Sequence, residues 1–115
     1  MSPEARKFLH DIVESIDIVE SYLCTVAQFE DYKGDLKTID AVERRLAIIG
    51  EALWKADKSD KALAISNKAK IISLRHILIH DYDLIEDETI WVICKKHLPL
   101  LKAEVGILLN PDEGI

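Results

Sequence analysis

At 115 residues the chain is one domain's worth of polypeptide, 1–115, long enough to bury a core without a disulfide or metal to support it. Apolar residues make up 49%, yet no run of them nears the roughly 20 that span a bilayer, so no membrane-spanning segment is expected. A formal net charge of −6 excludes a protein that coats nucleic acid by bulk electrostatics. The opening residues, Met1 to Arg6, lack the apolar stretch of a signal peptide, which makes the cytoplasm the expected compartment.

The first helix starts at Ser2, a good cap, with Pro3 in the first helical position, where its missing amide is not needed. Leu9, Ile12, Ile16, Val19, Leu23 and Val26 recur in alternating steps of three and four, the seam of a bundle helix running to about Phe29. Asp31 to Asp35 breaks it. A second helix begins between Leu36 and Thr38 and carries Val42, Leu46, Ile49 and Leu53 at the same alternation. Gly50 lies inside it. A mid-helix glycine costs about 1 kcal/mol against alanine, so another helix is expected to approach closely there.

A third helical region covers Lys61 to about Ile79, with a break near Ser66-Asn67. Its apolar second half, Ile71 to His80, is expected to be largely buried. Asp81 to Glu86 forms a turn, and a last helix runs from about Asp87 through Cys94 towards Leu109, interrupted at Pro99. Both Cys24 and Cys94 lie in apolar stretches and read as core thiols. The fold class is therefore all-α, an antiparallel bundle of four to five helices. Two such seams offer more apolar face than one small bundle needs, which points to a two-fold homodimer, the alternative being a well-filled monomer.

Polar chemistry gathers in one apolar segment. Arg75, His76, His80, Asp81 and Tyr82 lie within eight residues, among Ile71, Ile72, Leu74, Ile77, Leu78 and Ile79. Burying an arginine and two histidines costs several kcal/mol unless they are paired or line a cleft. His76 and His80 share a helical face. Arg75 and His80, five positions apart, point about 140° away from each other. They converge only if the helix ends near Ile79, or if a second copy of the chain brings its residue alongside. Lys61 to His80 holds no acid but carries Lys61, Lys68, Lys70 and Arg75, and on charge alone this strip reads as a solvated helix face.

Arg75-x4-His80-x-Tyr82 resembles the R-x4-H-x-Y motif of HEPN-type toxins, whose partners are minimal nucleotidyltransferase antitoxins. Ala41 to Ala52 is similar to that family's helix with its I-G-E-A run, and the turn leading to Trp91 and the Leu98-Pro99-Leu100-Leu101 stretch also fit. The resemblance implies a dimeric helical bundle with a metal-independent endoribonuclease site at its interface and no cofactor. Arg75 would then hold the phosphate, His80 would exchange the proton, His76 would assist, and Tyr82 would accept an adenylyl group from the antitoxin. Lys68 and Lys70 would contact RNA.

Other readings stand beside these. Arg75 is alternatively a structural arginine paired with an acid such as Glu51, and His80 a satisfied histidine at a helix end. Tyr82 is alternatively an ordinary tyrosine closing the turn. His76-x3-His80 with Asp81 or Asp83 has zinc-ligand spacing but lacks the glutamate of a helical zinc protease motif. The whole chain could serve as a non-catalytic docking subunit for a nucleotidyltransferase. His10 and His97 read as surface residues, Trp54 and Trp91 as core or interface aromatics.

Overall fold

The Ser2 hydroxyl accepts the Ala5 amide at 3.0 Å and starts helix α1, Pro3–Leu23. The structure is a computed structural model and describes residues 1–111; among these every regular element is helical. α1 stops at Leu23, short of the expected Phe29, and the chain turns over 24–28 before a short helix α2, Phe29–Lys33. That turn lets Tyr32 reach the core while Val26 still packs there, so the apolar period outlasts the helix. It also leaves Cys24 exposed, in contrast to the expected core thiol.

Asp35 caps α3, Leu36–Ser59, its carboxylate accepting the Thr38 hydroxyl at 2.6 Å and the Thr38 amide at 3.1 Å. These bonds hold the Asp35 carboxyl below its usual value. α3 packs along α1, burying Val42, Leu46, Ile49 and Leu53 against Leu9, Ile12, Ile16 and Val19. Phe8 lies by Lys55, at the opposite end of each helix, so the two are antiparallel.

The segment 61–67 is not helical. Asn67 sits in the left-handed region at φ 58° immediately before α4, Lys68–His80. The break expected near Ser66-Asn67 is thus the true start of the helix. Of the apolar run expected to be buried, only Ile71 is; Ile77 and Ile79 are 37% and 57% exposed, because α4 lies on the bundle's edge and packs along α3 with one face.

After a 3₁₀ turn, Tyr82–Leu84, α5 (Asp87–Val92) leads through a π-helical turn, Ile93–His97, into α6, Leu98–Leu109. The expected interruption at Pro99 does not occur. The Leu98 amide donates to the Ile93 carbonyl five residues back, and this widened turn admits a proline whose ring would clash with a carbonyl in a regular helix. α6 runs antiparallel to α1: Arg6 donates to the Leu109 carbonyl at 3.2 Å, and Lys102 reaches Asp17 at 2.7 Å.

The Tyr32 ring packs 5.5 Å from Trp91, and its hydroxyl is buried without a hydrogen-bond partner among the described residues. Burial, then the neighbouring Cys94, Glu43 and Asp87, pushes this phenol above its ordinary range, and burial pushes the Cys94 thiol up to about 12. Both groups keep their protons in the fold, whereas an unfolded chain releases them near 9.0 and 10.0. Stability is therefore full below about pH 9 and falls as pH rises, by up to about 1.4 kcal/mol per pH unit for each group. Urea unfolding from pH 8 to 11 is expected to show this decline. Tyr32→Phe should roughly halve the slope above pH 10, leaving the share of Cys94, with no loss of stability at pH 7, because it removes an unpartnered hydroxyl. A variant as alkali-sensitive as the parent would contradict the assignment.

Candidate active site

A Cβ built on Gly50 would lie 2.9 Å from the Ile71 carbonyl oxygen, 3.1 Å from the Arg75 nitrogen and 3.2 Å from the Arg75 Cβ. The bare backbone at this position is what lets α4 lie against α3 and brings Arg75 onto it, as the mid-helix glycine suggested. The Arg75 guanidinium is half-buried. Its Nη1 pairs with Glu51 Oε2 at 2.5 Å, and its Cζ lies 4.3 Å from the centre of the Trp54 ring. The other Glu51 oxygen is 3.7 Å from Lys55 Nζ, and Lys58 Nζ also lies over the Trp54 ring, at 4.3 Å. The pairing of Arg75 with Glu51 is thus real. It engages one of five N–H donors, so it does not exhaust the guanidinium.

His76 and His80 stand one turn apart, both exposed, with ring centres 4.8 Å apart. Asp81 Oδ2 is 3.7 Å from His76 Nε2. The helical ladder continues past both, the Asp81 amide donating to the Ile77 carbonyl at 2.9 Å. α4 therefore does not end at Ile79, and His80 is not swung back towards Arg75. Within one chain the two side chains leave a regular helix about 140° apart. Among the described residues, no group of three or more His, Cys, Asp or Glu side chains is arranged to hold a metal ion.

Tyr82 opens the 3₁₀ turn and is 71% exposed, beside Leu84 at 74%. Lys68 lies 2.9 Å from Asp57 and donates to the Leu63 carbonyl, tying the start of α4 to α3; Lys70 is exposed. His10 and His97 are at the surface, and Trp91 is partly buried and packs against the core on Phe29 and Tyr32. A groove of about 710 Å³ runs between α1 and α3. Glu51 and Lys55 lie in its wall, and Leu78 and Ile79 of α4 line it too. Glu43, also in that wall, has its carboxyl raised by burial and then by Asp87 and Asp40. Trp54 is the residue that sequence reasoning placed only loosely. Its position three after Glu51, on the turn that follows Gly50, was the available signal.

Residues 12–107 match the family model described as "Ribonuclease HepT-like". The chain is 32% identical over 105 residues to a protein of Thermococcus cleftensis named "Probable ribonuclease HepT", covering 90% of this chain and 94% of that one. It is 33% identical over 107 residues to a Methanocaldococcus jannaschii protein named "Putative RNase", covering 91% of this chain and 96% of the relative. No solved structure gives a significant match.

Proposed function

The chain belongs to the HepT-like ribonuclease family, and from that premise we propose that it is the toxin of a toxin–antitoxin pair, a metal-independent endoribonuclease whose Arg-x4-His site is completed by a second copy. The observation that carries the reading is the state of Arg75 and His80 on α4: the guanidinium is held on α3 with donors to spare, and the imidazole is exposed. Ile77 and Ile79 stand exposed on the same helix, next to the groove, and favour burial against an equivalent surface. A two-fold axis there sets Arg75 of one protomer beside His80 of its partner, which one helix cannot do.

In such a site Arg75 binds the scissile phosphate and offsets the charge that grows on it. His80 takes a proton from the ribose 2′-hydroxyl or returns one to the leaving oxygen, and His76, 4.8 Å away ring to ring, orients it. Lys70 adds attraction for the RNA backbone, and Lys68 adds a share already divided with Asp57. The enzyme works in the cytoplasm without a cofactor.

Its partner is a minimal nucleotidyltransferase that adenylylates Tyr82, whose exposure suits a modified residue. The added phosphate lies near Arg75, competes for it and repels RNA. With the antitoxin co-expressed, Tyr82→Phe is expected to stay toxic where the parent is silenced; equal silencing would remove this role.

The experiment is cleavage of single-stranded RNA, with EDTA present, by the purified protein beside Arg75→Ala and His80→Ala. Cleavage lost in both variants supports the site, and equal cleavage by all three overturns it. The exposed Tyr82 and Leu84 also favour a second reading, a non-catalytic docking subunit for the nucleotidyltransferase. That reading gains if the parent binds the partner and cleaves nothing.

A further inference from the structure

A flexible arginine loses side-chain freedom each time it meets a phosphate, and an unfixed fork presents its donors in many directions. Arg75 is held from several sides. Gly50 lets its backbone sit on α3, Glu51 takes Nη1, and the Arg75 Cζ sits over the Trp54 ring, 4.3 Å from its centre. Glu51 is itself steadied by Lys55. A plain structural ion pair needs no aromatic face, and an arginine that served only as ballast for Glu51 would not need its plane set. One contact engages an edge of the guanidinium and the other its centre, so both restrict the directions in which it can point.

Resting on the ribonuclease reading, we infer that Trp54 and Glu51 are positioning residues. Trp54 fixes the plane of the Arg75 guanidinium by stacking, and Glu51 fixes its rotation by engaging Nη1. The remaining N–H edge is thereby presented to the two non-bridging oxygens of the scissile phosphate. Neither residue touches RNA; both act through Arg75. Losing either leaves the positive charge in place but frees its direction, so the chemical step suffers more than binding.

The test is steady-state cleavage of a short single-stranded RNA by the full chain and by Trp54→Leu, Trp54→Phe and Glu51→Gln, with melting temperatures measured alongside. kcat is expected to fall about tenfold in Trp54→Leu and Glu51→Gln with KM within about twofold, while Trp54→Phe, which still stacks, stays within about threefold of the parent. Chemical rescue supplies a readout that a merely structural role would not move. Guanidinium ion added to Arg75→Ala is expected to restore cleavage saturably, and several-fold more of it should be needed once Trp54→Phe or Glu51→Gln is also present. Parent-like kcat in Trp54→Leu and Glu51→Gln overturns the inference, as does rescue that ignores both residues. If the parent cleaves and Arg75→Ala does not, such a result removes this inference alone. A parent that cleaves no RNA removes the ribonuclease reading, and this inference with it.

Discussion

A one-to-one mixture of Arg75→Ala and His80→Ala proteins is expected to recover about a quarter of parental RNA cleavage, although each variant alone should be down by a factor on the order of 10³. The reason is geometric. α4 is regular from Lys68 through His80, so one copy directs these two side chains about 140° apart, and in the proposed dimer it supplies half of each of two symmetric sites. Random exchange makes about half of the dimers mixed. In each mixed dimer one site joins the intact arginine to the intact histidine, and the other carries both lesions. Half of the dimers with one working site of two is a quarter. Cleavage is to be read after subunit exchange has been verified with two differently tagged variants. A mixture that stays silent despite exchange would place both residues in one chain's site, or in no site at all.

Gly50→Ala should destabilise the fold by up to about 2 kcal/mol and lower RNA cleavage at the same time. Alanine is ordinarily the better helix former by about 1 kcal/mol. Here the new methyl group meets the Ile71 carbonyl at 2.9 Å and the Arg75 nitrogen at 3.1 Å, and backbone atoms cannot rotate away. Overpacking of this kind costs about 1–3 kcal/mol. The way out is for α4 to lift from α3, which draws Arg75 away from Glu51 and Trp54. Gly106→Ala is the control: among the described residues nothing lies within 4 Å of a Cβ placed there, and α6 should gain up to about 1 kcal/mol. Urea unfolding of the two variants beside the parent decides. A Gly50→Ala protein more stable than the parent would show that the helices are not in contact there.

Where local chemistry alone sets the backbone, the amino-acid sequence was a dependable guide. Ser2 and Pro3 start α1, and Gly50 marks the closest approach of two helices. Apolar spacing was a weaker guide, because it reports which residues are greasy and not how the backbone travels between them. Val26 and Phe29 continue the period of α1 across a turn in which the helix has already ended. On α4 an apolar run read as burial, yet Ile77 and Ile79 lie on a face that this chain does not cover. The candidate site divides the same way. The positions of Arg75, His76, His80 and Tyr82 follow from a linear motif, whereas the seat of Arg75 on Trp54 depends on how α3 and α4 cross. In the proposed site the meeting of Arg75 with His80 depends on a second copy, which a linear motif does not encode.

The π-helical turn at 93–97 has an evolutionary consequence. It holds one residue more than an α-helix would use for the same turn, and that surplus sets the angular register of everything after it. A single-residue deletion between Ile93 and His97 would take out that surplus and leave the facing of α6 unchanged, whereas the same residues wound as ordinary helix without a deletion would rotate α6 by about 100°. Leu98, Leu101, Val105 and Leu109 would leave the core, and a different side of the helix would face α1. A one-residue gap is therefore absorbed here, so lineages that wind this stretch as ordinary helix should be one residue shorter within this window.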